Sequence, residues 1–319
     1  MKERNIPSIN LAVESTKRPI SPGAEKMLGK VIPVLDHGFV YLVDYMGNDE
    51  AIEQAARVSY GAGTRKVSET RGLIRYLRRH HHTTPFEMVE LKFHAKMPIF
   101  VARQWVRHRT ANINEYSARY SILDKEFNLP EPEVLAAQSK SNRQGRAEVV
   151  PLKYAQSVRQ LLFEDSERSY KHYEYMLNDD GEGNPSDPDR PMIARELARM
   201  GLTLNIYTQW YWKVDLHNLF NFENLRLDKH AQLEIQEYAR AMGIITKEVV
   251  PLAWEAFEDY QLEATNLTRL DKEVLKLLVK EKGEVTKDRI TALAKEIGVT
   301  NKREREEMVE KFISLGLVG

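Results

Sequence analysis

The sequence predicts an α+β fold, a sheet with several long helices, and two patterns carry that reading. Val89, Leu91, Phe93, Ala95 and Met97 alternate with mostly polar neighbours, the period of a half-buried strand. Around this strand lie segments whose apolar residues recur at helical spacing, among them 49–60, 67–80 and 229–258.

The elements follow in order. Residues 1–30 mix charges, Pro and Gly without a period and read as a loosely ordered arm. Val31–Leu35 and Phe39–Val43 flank Asp36-His37-Gly38, a hairpin turn. Asn48-Asp49 caps a helix running to about Tyr60, with Ala51, Ile52, Ala55, Ala56 and Val58 inward. Leu73, Ile74 and Leu77 form the stripe of a helix over 67–80, before the polar break His80-His81-His82-Thr83-Thr84-Pro85. After the 89–97 strand, Pro98 opens a short apolar helix, Ile99 to Val106, that ends in Arg107-His108-Arg109. Residues 128–148 read as a surface loop, Pro151 to Leu177 as a long helix, and Asn178 to Pro191 as a second, acidic loop. Helical patterns resume at 191–201, about 216–225, and 229–258. Between them Leu202–Val214 is rich in β-formers and aromatics and fits strand or helix.

From Glu263 the composition turns Lys/Glu-rich, with three short amphipathic segments carrying Val274, Leu275, Leu277 and Leu278, then Ile290, Leu293, Ala294 and Ile297, then Met308, Val309, Phe312 and Ile313. With Gly298-Val299-Thr300 between the last two, they form either a small helix-turn-helix-like module or a helical tail packed on its own subunit or a neighbour. The expected organisation is an arm (1–30), a main domain (31–262) and a C-terminal helical extension (263–319).

Bulk composition narrows the function. The 319 residues are 42% hydrophobic, enough for a substantial core. Lys plus Arg and Asp plus Glu both number 47, so the overall charge singles out neither nucleic acid nor a membrane as partner. The absence of cysteine excludes disulfides, thiolate metal sites and a Cys nucleophile. The first 30 residues lack the apolar core of a secretory signal, and no window approaches the roughly 18 apolar residues of a membrane span. A soluble, cytoplasmic protein is expected.

The densest chemical signal is the run from Arg107 to Tyr120, which holds three arginines, His108, Glu115 and several amide or hydroxyl groups. Arginines at the end of an apolar helix are costly near a core unless an anion meets them, and a guanidinium binds phosphate bidentately. The run therefore reads either as a pocket for a phosphorylated ligand or as an internal network with Glu115 pairing one arginine. Downstream, Arg195 and Arg199 flank Glu196 on one helix. His217, Asn218, Asn221 and Arg226 fall roughly along one side of another, a face suited to hydrogen bonding a heterocycle or simply to solvation.

These motifs carry a resemblance. Arg107-His108-Arg109, seven residues, then Ser117 resembles the signature of flavin-dependent thymidylate synthases. The flanks Phe100 to Trp105 and Ala118-Arg119-Tyr120 agree with it, as do Thr84-Pro85-Phe86-Glu87 and Asp228 to Ile235. The resemblance covers roughly residues 35–260, and it leaves the arm and the tail outside.

The resemblance implies a mostly antiparallel central sheet with long helices, and a homotetramer whose sites are shared between subunits. FAD, dUMP and folate would meet there. It places His82, Thr84, Arg107, His108, Arg109, Glu115, Asp215, Leu216, His217 and Asn221 toward FAD. Toward dUMP it places Gln104, Trp105, Val106, Arg107, Glu115, Tyr116, Ser117, Ala118, Arg119, Arg199 and Arg226. Arg226 resembles the family arginine set against the uracil ring, where a fixed positive charge would stabilise negative charge developing on the pyrimidine. Ser117 fits a hydrogen bond to the phosphate better than a nucleophile, because no adjacent base is evident in the motif. The implied reaction is reductive methylation of dUMP to dTMP, with 5,10-methylenetetrahydrofolate as carbon donor and FAD with NADPH as the hydride source. No Gly-x-Gly-x-x-Gly fingerprint is present, so the flavin would be held by another geometry.

Two rival readings are weaker. A metal site built on His80-His81-His82 with His94 or His108 lacks any recognised ligand spacing, so no metal is expected. Nucleic-acid binding by basic 71–109 and the C-terminal helices runs against the balanced charge.

Overall fold

A computed structural model describes residues 7, 9, 11, 13, 15–59, 69–140, 145–281 and 284–318. Parts of the expected arm, the end of the 49–60 helix, the start of the 67–80 helix and part of the 128–148 loop lie outside the described residues. Two compact units are present, Met1–Phe257 and Glu258–Gly319.

In chain order the first unit contains α1 (Pro22–Met27), β1 (Ile32–Val34), β2 (Gly38–Met46), α2 (Asp49–Val58), α3 (Thr70–Arg79), β3 (Glu90–Pro98), α4 (Ile99–Trp105) and β4 (Asn112–Glu115). It continues with β5 (Ala136–Gln138), β6 (Arg146–Val149), α5 (Leu152–Leu177), α6 (Arg195–Ala198), β7 (Tyr207–Asp215), α7 (Leu216–Arg226), α8 (Leu233–Val249) and α9 (Pro251–Phe257). The main sheet has the order β1-β2-β3-β7-β4, antiparallel throughout, and β5 pairs with β6 in a separate hairpin. This is the α+β architecture with an antiparallel sheet that the sequence implies.

The alternation in β3 sets the layering. Leu91, Phe93, Ala95 and Met97 are fully buried, whereas Lys92 and His94 point to the other face. Trp210 and Trp212 of β7, opposite Ala95 and Phe93, continue this face, and Trp105 packs edge-on to them at 5.5 and 5.4 Å, beside Phe222 and Tyr238. Gly38 permits the closest approach, because a Cβ there would lie 2.0 Å from Tyr238 Oη. That hydroxyl donates to Lys96 O at 2.7 Å and so ties α8 to β3.

Several expectations are corrected. The arm ends in a packed helix: Ser21 caps α1, bonds Val249 O at 2.9 Å, and Ala24 and Met27 are buried. Val58, expected inward, is exposed, because the buried stripe of α2 ends at Ala56. The 128–148 loop contains the β5–β6 hairpin, whose Arg146 pairs both oxygens of Glu234 at 2.6 and 2.7 Å. The helix expected over 191–201 shrinks to α6 and a 3₁₀ turn at Arg199–Gly201. The undecided 202–214 segment supplies β7, which pairs with β3 on one side and with β4 on the other.

The second unit folds around its own core. Its helices are α10 (Arg269–Glu281), α11 (Lys287–Glu296) and α12 (Lys302–Ser314), which bury Val274, Leu278, Ile290, Leu293, Ala294, Val299, Met308 and Phe312 together. Gly298, at φ +91°, makes the left-handed turn between α11 and α12. Buried Asp271 binds Lys311 Nζ at 2.5 Å and Thr268 N and Oγ1 at 2.7 Å each, linking α10 to α12.

Candidate active site

The site begins where α4 runs out. Val101, Ala102 and Trp105 face the core and anchor the helix, and Arg107 N and His108 N close its last turn onto Gln104 O and Trp105 O at 3.4 and 3.0 Å. Arg226, at the end of α7, meets that terminus. Its Nη2 donates to Gln104 O at 3.3 Å and its Nε to His108 Nε2 at 3.0 Å. A cation at a helix C-terminus is favoured by the helix dipole as well as by the hydrogen bond. The His108 ring stands edge-on to Phe222, centroids 4.9 Å apart, one turn before Arg226 on the same helix.

Electrostatics fix the state of this pair. Burial, and then the neighbouring Arg226 charge, hold the His108 imidazole down to about 4, so it is neutral at pH 7. Nε2 accepts from Arg226, which assigns the proton of the neutral ring to Nδ1. Burial also lowers the Arg226 pKa from its usual value, and the guanidinium stays charged. Gln104 is oriented in turn by a hydrogen bond from its Nε2 to Gln232 Oε1.

Arg107 and Arg109 are exposed, contrary to the expectation that the motif's arginines sit against the core. Neither makes a side-chain hydrogen bond or ion pair among the described residues, and Glu115 instead accepts from Thr208 Oγ1 at 2.8 Å. Among the described residues, then, this run pairs Glu115 with none of its own arginines. It leaves two cations free for an anionic ligand.

α7 and the 3₁₀ turn Thr84–Met88, which begins at Thr84, pack together, with buried Phe86 and Phe220 6.5 Å apart, whereas His82 lies edge-on to Tyr76 of α3. Asp215 is spent as the N-cap of α7, accepting from Asn218 N at 2.9 Å and Asn218 Nδ2 at 2.7 Å. Leu216 is fully buried. That leaves His217, whose buried Nδ1 has no partner among the described residues, and exposed Asn221 as the polar groups of this stretch not spent on such a cap.

A second group gathers after β4. Tyr116 N bonds Gln209 O at 2.8 Å and its hydroxyl donates to Ile122 O at 3.0 Å, so the chain turns tightly here. Ser117 Oγ accepts from Arg119 N at 3.3 Å, and Ala118 is buried in a satellite core with Tyr170 and Tyr173. Arg119 lies 3.6 Å from Glu196, and Arg199 follows at the end of α6 with no side-chain hydrogen bond or ion pair among the described residues. Arg195 is occupied by Asp179 and Tyr120 O. Among the described residues no hydrogen bond or ion pair joins this group to Arg226.

Trp105 and Leu216, both expected at the site, are fully buried in the core of the chain. Val106 is the C-cap of α4 and partly exposed. Two supporting residues escaped sequence reasoning. Gln232 stands inside the Asp228–Ile235 match and that match was its only signal, while Thr208 lay in the segment whose strand period was unresolved.

Comparisons with known proteins agree with this arrangement. The family model of thymidylate synthase complementing proteins (Thy1) matches residues 41–252. The flavin-dependent thymidylate synthase of Ruegeria pomeroyi is 59% identical over 253 residues, 79% of this chain and 81% of that protein. That of Rickettsia prowazekii is 52% identical over 299 residues, 93% of this chain and 99% of that protein. Among solved structures, the UMP/dUMP methylase PolB of Streptomyces cacaoi bound with 5-Br dUMP superposes with a TM-score of 0.62 at 30% identity, over 72% of this chain and 99% of that one. The free arginines, the neutral histidine that holds Arg226, and these likenesses lead to one statement: the chain belongs to the Thy1 family, the flavin-dependent thymidylate synthases.

Proposed function

We propose that this protein methylates dUMP reductively to dTMP, with FAD as cofactor, 5,10-methylenetetrahydrofolate as carbon donor and NADPH as reductant. The observation that carries the reading is Arg226, a half-buried guanidinium held by His108 and the Gln104 carbonyl with its remaining N–H groups uncommitted. With no cysteine in the chain, no thiolate is available to attack the uracil ring. Bound reduced flavin would supply the hydride.

The protein's part is binding and polarisation. Arg107 and Arg109 suit the diphosphate of FAD, because both are exposed and unpaired among the described residues. His82, Thr84, His217 and Asn221 are the further polar groups this reading assigns to FAD. The unpartnered buried Nδ1 of His217 fits a polar ligand atom. Ser117, Arg119 and Arg199 suit the phosphate of dUMP. Gln104, fixed by Gln232, and Glu115, fixed by Thr208, offer oriented hydrogen-bonding groups to the nucleotide. Arg226 then stabilises charge developing on the pyrimidine.

The same reading includes a homotetramer with sites shared between subunits. Support comes from the two groups being unconnected within one chain, since among the described residues no hydrogen bond or ion pair joins Arg226 to Arg119 or Arg199. The exposed Tyr154, Leu161, Phe163 and Tyr175 along α5 add to it, a display that a monomer has little reason to keep. Residues 31–262 are the catalytic domain in this reading, 263–319 an appendage, and the protein is cytoplasmic.

The test is tritium release from [5-³H]dUMP with FAD, methylenetetrahydrofolate and NADPH. Arg226→Ala is expected to lower kcat by about 10²–10³, the usual effect of removing one preorganised electrostatic donor. No release by the parent enzyme, or full rate in the variant, overturns the assignment. Mixing Arg226→Ala chains with Arg199→Ala chains restores activity if sites are shared. Light scattering that finds a monomer with normal FAD affinity refutes the tetramer.

A further inference from the structure

We propose that His108 is a positioning residue for Arg226: it accepts the Nε–H and so sets the plane in which the guanidinium faces its substrate. The inference rests on the reading of Arg226 given above and goes beyond it by assigning a role to the histidine of the Arg-His-Arg run toward another protein side chain.

Arg226 has five N–H donors. The Nε–H meets His108 Nε2 at 3.0 Å, and one Nη2 hydrogen meets Gln104 O at 3.3 Å. These two bonds come from opposite ends of one edge of the planar group, so together they fix its rotation as well as its place. The remaining three N–H groups are left for a ligand. The histidine is itself held. Phe222 packs edge-on against its ring at 4.9 Å, and Phe222 and Arg226 are one turn apart on α7. A lysine-like point charge would not need such an arrangement, whereas a planar fork gains from it. Neutral imidazole is required, because an imidazolium has no acceptor. The tautomer that accepts at Nε2 also leaves Nδ1–H directed elsewhere, and no protein group among the described residues takes it.

The experiment compares full-length parent, His108→Gln and His108→Leu, since a glutamine carbonyl can reach where Nε2 stands and leucine offers no acceptor. Arginine Nε–H resonances are recorded on protein labelled with ¹⁵N-arginine, with Arg226→Lys identifying the Arg226 signal. The expected result is a protected Arg226 Nε–H in the parent and in His108→Gln, and loss of protection in His108→Leu. In the tritium-release assay, normalised to bound flavin by its visible absorbance, His108→Leu is expected to lose about 10- to 100-fold in kcat with KM for dUMP changed less than about 3-fold, and His108→Gln to recover most of the loss. An Nε–H signal indifferent to residue 108, or equal loss of kcat in both variants, overturns the proposal. Absence of turnover in the parent defeats the functional reading instead, and the resonance experiment still decides whether His108 holds Arg226.

Discussion

Glu223 offers the sharpest test of the energetics of the helix that carries Arg226. It lies on α7, one turn before Arg226, at 0% exposure, and neither carboxylate oxygen has a hydrogen-bond partner among the described residues. Burial alone pushes its pKa well above the usual carboxylate range. A buried polar group without a partner costs about 1–3 kcal/mol, and more if it must ionise. Glu223→Leu is therefore expected to stabilise the first unit by about 1–3 kcal/mol, less any strain from leucine's branched end. The sign of the pH dependence follows from the raised folded-state pKa. Below the unfolded-state pKa both states are protonated and there is no penalty. As pH rises, the unfolded carboxyl ionises and the folded one does not, so stability falls by up to about 1.4 kcal/mol per pH unit until the folded value is passed. The assay is urea unfolding between pH 5 and 8 by tryptophan fluorescence. All four tryptophans, Trp105, Trp210, Trp212 and Trp254, belong to the first unit, so the signal reports that unit alone. Glu223→Gln is the control that abolishes titration while keeping an unsatisfied polar group. It should flatten the pH slope without the gain seen for leucine. A leucine variant less stable than the parent at pH 7, or a pH slope unchanged in both variants, refutes the reasoning.

Gly38→Ala should cost about 1–3 kcal/mol, because the new methyl would sit 2.0 Å from Tyr238 Oη and 2.7 Å from Val34 O; the same fluorescence titration measures it. For His108, whose pKa is lowered to about 4, the contribution of the neutral ring is present above about 6.5 and is lost as pH falls toward 4. The acid limb of kcat should therefore include a group near 4, and His108→Gln should remove it. A limb unmoved by that substitution counts against the Arg226 contact. In the second unit, Lys311→Met strands the buried Asp271 carboxylate, which also accepts from Thr268 N and Oγ1. A loss of about 3 kcal/mol is expected, read as faster tryptic release of the tail with dTMP formation measured in parallel.

The legibility of this chain in its sequence varies with the range of the interactions involved. β3 was legible because Leu91, Phe93, Ala95 and Met97 follow the pleat of the backbone itself. α5 was legible because Pro151 and the left-handed Asn178 mark its two ends locally. β7 was not, since Tyr207–Asp215 interleaves aromatic and polar residues in a way that helix and strand both tolerate, and only pairing with β3 and β4 decides it. β4 was missed for a similar reason. It is four exposed residues whose ladder with β7 is their main structural support. In the site, the residue types and the Arg-His-Arg spacing announced a phosphorylated ligand. The distant partners of those residues were invisible. The Asp215 cap onto Asn218 is local, three residues on, but nothing local to Glu115 points to Thr208, ninety-three positions away.

The sequence alone determined the class of fold and the inventory of charged and hydrogen-bonding groups, because periodicity, capping and composition act over a few residues and survive without contacts, and its motifs carried the resemblance to the family. Tertiary structure alone decided which of those groups are spent on the protein and which remain free. It folded α7 back onto the end of α4, placing Arg226 against His108 across 118 positions of chain. It also left Arg107 and Arg109 in solvent rather than against the core. Such choices depend on which surfaces meet when the sheet and helices pack, and the free energy of that meeting belongs to pairs of segments, not to either one.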